Sequence, residues 1–112
     1  MEINVSSVDG HTVVSLAGQI DSTASKEFEE RLVEVIDKGS NTMVIDFNKV
    51  KFISSAGLRV LLLAAKKVKP YGGKVILCNL AKDVQEVFDI SGFSSIFSIY
   101  SSVDEAIEKG IG

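Results

Sequence analysis

Apolar positions along the chain change rhythm several times, and each rhythm predicts an element. Ile3 and Val5, followed by His11–Leu16, are β-rich runs around Val8-Asp9-Gly10-His11, and Asp-Gly between such runs predicts a hairpin. Gly18-Gln19-Ile20-Asp21 then reads as a loop, with Ser22 or Thr23 as the N-cap of a helix. In that helix Phe28, Leu32, Val35 and Ile36 fall at i, i+4, i+7 and i+8, one buried stripe, and Gly39 ends it. Met43–Phe47 is apolar without alternation, as a strand covered on both faces should be. Val50–Ile53 reads as a brief extended linker.

From about Ser55 to Lys69 the period returns to that of a helix, with Leu58, Leu61, Leu62, Ala65 and Val68 on one face. Pro70 and Gly72-Gly73 stop it. Lys74–Leu77 is another buried strand, and Lys82–Ile90 a helix with Val84, Val87 and Phe88 inward. Ile96–Tyr100 reads as a last, edge strand, and Val103–Lys109 as a closing helix with Val103, Ala106 and Ile107 inward. The order β-β-α-β-α-β-α-β-α predicts an α/β fold. Strand–helix–strand units pair in parallel, so the central sheet should be mixed but mostly parallel, with about five strands and about four helices. With no linker or repeat in view, residues 1–112 are expected to form one domain.

Composition narrows the functions. Hydrophobic residues make up 46% of the 112, enough for a core without metal or disulfide. The 12 basic and 15 acidic residues are spread evenly, so no stripe offers the phosphate contacts that nucleic-acid binding needs. Lys66, Lys67 and Lys69 suit the C-terminal end of a helix and its dipole. Cys78 lies in the apolar run Val75–Leu80 and reads as a buried, inert thiol. Met1-Glu2-Ile3-Asn4 lacks the charged start and apolar stretch of a signal peptide. The run Val60–Ala65 is far short of the roughly 20 residues that span a bilayer. A cytoplasmic protein without membrane contact is expected.

Catalytic chemistry finds little support. His11, the sole histidine, sits at a turn with no evident partner, so a Ser–His–Asp or Cys–His arrangement is not indicated. One His and one Cys cannot make a zinc site. Gly72-Gly73-Lys74 follows a helix and precedes a strand, the reverse of a P-loop, and lacks its first glycine and its Ser/Thr. Asp21 and Asp46 fall near strand ends, but two carboxylates alone are weak evidence for acid–base work. Neither catalytic residues nor a metal or cofactor are expected, and the chain reads as a binding protein. What remains is Lys51-Phe52-Ile53-Ser54-Ser55-Ala56-Gly57-Leu58-Arg59, where an extended segment turns into a helix. Either serine could be the N-cap, and a glycine in the first turn costs up to about 1 kcal/mol relative to Ala.

That stretch carries a family resemblance. Asp46-Phe47-Asn48, Val50 to Phe52 and Ser54-Ser55-Ala56-Gly57-Leu58 resemble the signature of STAS domains, above all those of bacterial anti-sigma factor antagonists. Gly18-Gln19-Ile20-Asp21 is similar to their Gly-x-hydrophobic-Asp loop. Gly72-Gly73 and Phe88-Asp89-Ile90-Ser91-Gly92-Phe93 also resemble the family, in the same order. The resemblance implies a STAS fold and a partner that is both anti-sigma factor and serine kinase. Unphosphorylated, such an antagonist binds that partner and frees a sigma factor; phosphorylated, it lets go until a phosphatase resets it. Ser55 aligns with the phosphate acceptor and Asp21 with the aspartate beside it. The Asp common before the acceptor is Ser54 here, which makes Ser54 the second candidate. The partner surface implied is Asp21, Ser22, Ser54, Ser55, Ala56, Gly57, Leu58 and Arg59, on a chain expected to be a monomer. Two alternatives are a constitutive STAS adaptor, for example in a lipid-transport complex, and a nucleotide-binding protein.

Overall fold

Asp9 and Gly10 both have positive φ, 52° and 80°, the pair of left-handed residues that a two-residue hairpin turn requires. They join β1 (Glu2–Val8) to β2 (His11–Ile20) in antiparallel register, with Val8 opposite His11. The computed structural model describes residues 1–111. After the hairpin come α1 (Ala24–Asp37), β3 (Thr42–Ile53), α2 (Ser55–Val68), β4 (Lys74–Cys78), α3 (Lys82–Ser91), β5 (Ser98–Tyr100) and α4 (Val103–Glu105). The last helix runs on as a π-helical stretch, Ala106–Ile111. The strands form one sheet in the order β1-β2-β3-β4-β5, antiparallel between β1 and β2 and parallel elsewhere. The expected mixed, mostly parallel α/β architecture is the one found.

Alternate strand residues feed two cores. Val14 and Leu16 of β2, Met43, Ile45 and Phe47 of β3, and Val75 and Leu77 of β4 meet the apolar stripes of α1, α2 and α3. Val13, Val44, Ile76 and Cys78 point the other way, onto Ala106 with Tyr100, Val103 and Ile107 beside it. Both faces of the middle strands are covered, which is why Met43–Phe47 shows no alternation. The α1 stripe, Phe28, Leu32, Val35 and Ile36, is buried as its spacing predicts. Phe88 of α3 packs edge-on against Phe47 with ring centroids 6.1 Å apart. Cys78 is fully buried, and burial, reinforced by the Asp46 charge, pushes its thiol up to about 12. It stays protonated and unreactive at neutral pH.

Several boundaries differ from the sequence expectation. Gly18–Ile20 is not a loop, and Val50–Ile53 is not a linker. They pair with each other as the far ends of β2 and β3, with register shifts between Ser15 and Ala17 and between Gly18 and Gln19. Gly18, at φ 106°, takes up that irregularity without breaking the strand. On α2 the buried stripe is Gly57, Leu58, Val60, Leu61, Ala64 and Val68, while Leu62 and Ala65 are half-buried. A helix laid flat on a sheet buries a broader arc than a strict i, i+3, i+4 row. β5 begins only at Ser98, because Phe93–Ser95 form a 3-10 turn and Ile96 stays 54% exposed. Among the described residues, no helix is long and apolar enough to cross a membrane.

Candidate functional site

The β3–β4 ladder ends at the pair Asp46 and Cys78, but the β2–β3 ladder continues to Ile20 and Ile53. The two long strands therefore project as a ribbon beyond β4. Its tip lies at the carboxyl ends of parallel strands, where α/β sheets place their sites. Two segments leave that tip: Asp21-Ser22-Thr23 toward α1, and Ser54 toward α2. They are stitched together at the start, since the Ser54 N–H donates to the Ile20 carbonyl at 2.8 Å.

Ser54 is the N-cap of α2. Its backbone is extended, at φ −87° and ψ 169°, and its Oγ accepts the Gly57 N–H at 3.2 Å. Its carbonyl accepts the first helical bond, from the Leu58 N–H at 3.0 Å. Such a cap contributes about 1 kcal/mol. The Ser54 hydroxyl is thus committed to the fold. Ser55 is the first helical residue, exposed, with no hydrogen bond to its hydroxyl among the described residues. The sequence alone left the two serines as alternative caps; the structure gives them different jobs.

Gly57 is buried, and its place is set from below. A Cβ there would stand 2.8 Å from Ile20 Cγ2 and 2.8 Å from Ile53 Cγ1, branch carbons close to the backbone of the two strand ends. Glycine lets the first turn of α2 sit directly on the ribbon tip, which offsets its poor helix propensity. Leu58 is 6% exposed and joins the same core. Both were expected on the partner surface, and the structure buries both. Of the other residues expected there, Asp21, Ser22, Ser55 and Arg59 are exposed and Ser54 and Ala56 half-buried.

Asp21 caps α1. Its Oδ1 accepts the Ala24 N–H at 2.8 Å and its carbonyl accepts the Ser25 N–H at 3.0 Å. Ser22 and Thr23, the expected N-caps, make no side-chain cap: Thr23 already has helical angles, and Ser22 accepts the Ser25 hydroxyl through its carbonyl at 2.8 Å. No hydrogen bond joins Asp21 to Ser55 among the described residues. Asp21, which the resemblance aligns with the aspartate beside the acceptor, spends its carboxylate on capping α1 and so fixes the loop that leaves the ribbon tip.

Asp46, the other carboxylate singled out, accepts the Asn48 N–H at 2.9 Å and the Asn79 side-chain amide at 3.0 Å. The second bond ties β3 to the residue after β4, whose left-handed φ of 59° ends that strand. No hydrogen bond joins Asp46 to Asp21 among the described residues. Phe52 was missed: 47% exposed on the ribbon tip, opposite Gln19, it offers aromatic surface of the kind enriched in protein interfaces. The sequence names it only as part of the signature stretch, and nothing there shows that its ring faces outward. Among the described residues, no group of three or more His, Cys, Asp or Glu is placed to hold a metal ion.

The family model for the STAS domain matches residues 2–106. A Bordetella bronchiseptica protein assigned as an anti-sigma factor antagonist, BtrV, is 40% identical over 106 residues, covering 95% of this chain and 91% of its own. The anti-sigma-B factor antagonist of Bacillus subtilis is 27% identical over 108 residues, covering 96% and 98%. Among solved structures, the anti-sigma factor antagonist SpoIIAA in its unphosphorylated form superposes with a TM-score of 0.84 at 24% identity, covering 99% of this chain and 97% of that one. The Bacillus SpoIIAA in its phosphorylated form gives 0.74 at 22% identity, covering 97% and 99%. At these identities the two structures speak for the fold.

Proposed function

This chain belongs to the STAS domain family, and from that premise we propose that it is an anti-sigma factor antagonist switched off by phosphorylation at Ser55. Its partner is an anti-sigma factor that is also a serine kinase, and a phosphatase resets it. It works by binding rather than catalysis, as a cytoplasmic monomer. Relatives named as anti-sigma factor antagonists, aligned along almost the whole chain, support the first part. One observation carries the second: Ser55 stands exposed at the first position of a 14-residue helix while Ser54, the rival acceptor, is bound into the cap.

The position suits a reversible charge. The Gly57 and Leu58 N–H groups are taken by Ser54, which leaves the Ser55 and Ala56 N–H groups without an intrahelical acceptor at the positive end of the helix dipole. A phosphate on Ser55 adds about 1.5–2 negative charges where the fold favours an anion. The domain can keep its structure, and the docked partner meets the new charge. That SpoIIAA shares this fold in both unphosphorylated and phosphorylated forms agrees with a switch that needs no refolding.

The test is intact mass after incubation with ATP and the host's anti-sigma kinase. Wild type and Ser54→Ala should each gain one phosphate, although Ser54→Ala loses about 1 kcal/mol of stability with its cap. Ser55→Ala should gain none. Phosphate on Ser55→Ala but not on Ser54→Ala would move the acceptor to Ser54. No gain in any variant with an active kinase would leave a constitutive STAS adaptor.

A further inference from the structure

Ser55 and Arg59 stand four residues apart at the start of α2, both exposed. Helical residues at this spacing are neighbours, with Cβ atoms roughly 5–6 Å apart. Side chains on a helix lean toward its N-terminus, so a long side chain at Arg59 covers the turn that holds Ser55. The order is also the favourable one, with the anion N-terminal to the cation. The other residue within reach on that side, Leu58, is buried.

Two further facts concern charge. Arg59, like most of the basic residues, is paired with no carboxylate among the described residues, so its guanidinium is uncommitted. The first turn of α2 carries no acid, while α1, α3 and α4 have Glu27, Asp83, and Asp104 with Glu105 in theirs. An anion at Ser55 would therefore find both a helix start and a guanidinium, with no carboxylate on the first turn of α2 to compete.

We propose that Arg59 is the internal receptor for the phosphate on Ser55: once Ser55 is modified, the guanidinium folds back over the first turn of α2 and pairs with it. This rests on Ser55 being the acceptor and adds a second half to the switch. In the unmodified chain Arg59 is free to meet an acidic group on the partner. Phosphorylation both plants a charge on the docking surface and withdraws an arginine from it. A guanidinium can grip two phosphate oxygens at once, so lysine would substitute only in part.

The test uses the full chain with phosphoserine installed at position 55 during translation, so that it needs no kinase. Phosphorus NMR then reads the second ionisation of the phosphate, ordinarily near pH 6. Charged residues on the adjoining elements, Asp21 past β2 and Lys51 on β3, are the same in every variant, so differences report Arg59 alone. Relative to the wild type, Arg59→Gln should titrate about half a pH unit higher, the size expected of a charge-assisted pair at this spacing. Arg59→Lys should fall between them, and the gap should narrow in 1 M salt, where charges are screened within about 3 Å. Identical titration of wild type and Arg59→Gln, in samples that remain folded, would overturn the proposal. A kinase that ignores Ser55 would instead sink the acceptor assignment and leave this titration interpretable.

Discussion

Stoichiometric phosphorylation of Ser55 is expected to weaken binding to the anti-sigma partner by about a thousandfold, equivalent to about 4 kcal/mol. The docking surface proposed here is mostly neutral: Ser22, Ser54, Ser55 and Ala56, with Asp21 and Arg59 its charges. A protein packed over Ser55 would have to desolvate the phosphate, and an uncompensated buried charge costs several kcal/mol. Because the α2 start favours the anion, little of that cost can be relieved by unfolding the site. Calorimetric titration of the unmodified and phosphorylated chains against the partner measures the difference directly. Ser55→Ala should bind like the unmodified chain whatever the kinase does. Ser55→Glu, with one charge in place of nearly two, should lose only part of the affinity. A phosphorylated chain that binds within threefold of the unmodified one would remove the repulsion from the mechanism.

Gly73→Ala should be the most damaging of the single-methyl additions, costing about 3 kcal/mol or more. A Cβ at Gly73 would stand 2.0 Å from the Asn41 carbonyl oxygen, 2.8 Å from the Asn41 carbonyl carbon and 2.8 Å from Val68 Cβ. None of these is the end of a flexible side chain. Asn41 leads into β3 and Val68 closes α2, while the Gly73 N–H itself donates to the Val68 carbonyl at 3.0 Å. The methyl group could be admitted only by prising α2 from the sheet that positions Ser54 and Ser55. Gly72 next door is the control. Its φ of 72° disfavours a side chain, but a Cβ there meets nothing within 4 Å, so Gly72→Ala should cost only about 1–2 kcal/mol. For a domain of this size 1 kcal/mol shifts the melting temperature by about 4–8 °C. Gly73→Ala should therefore melt more than about 10 °C below wild type and clearly below Gly72→Ala. Equal melting of the two variants would contradict the packing argument.

Much of the fold is written in patterns that tertiary structure does not override. Asp9-Gly10 can satisfy a two-residue hairpin whatever packs around it, and Phe28, Leu32, Val35 and Ile36 mark one face of α1 whatever lies opposite. The misreadings fall where local chemistry and packing disagree. Gly18 looks like a break in a strand, yet its positive φ is absorbed at a register shift and β2 continues to Ile20. Lys49, Lys51 and Phe52 hide the far half of β3, because there Val50 and Ile53 go to the core while these three stay exposed beyond the end of β4. Those two misread segments together build the tip that carries the site.

The site itself was half legible. Two serines before a glycine could be recognised as a special helix start, and the resemblance picked out Ser55. Periodicity cannot say which hydroxyl caps the helix and which faces outward, since that depends on where the Ile20 carbonyl holds Ser54. Nor could it say that Gly57 is there for Ile20 and Ile53 beneath it rather than for a partner above it. Asp21 shows the same limit: its position beside the site was readable, but its capping of α1 through Ala24 was not.

The most direct test of the account is displacement in a reconstituted system. A complex of the host's anti-sigma factor with its sigma factor is titrated with this chain, and free sigma factor is followed by its recovery of core polymerase binding. The unmodified chain and Ser55→Ala should release the sigma factor at stoichiometric concentrations, and the chain phosphorylated at Ser55 should require about a thousandfold more. Release by neither form, with the anti-sigma factor active, would contradict the assignment as an anti-sigma factor antagonist; equal release by both would contradict the switch.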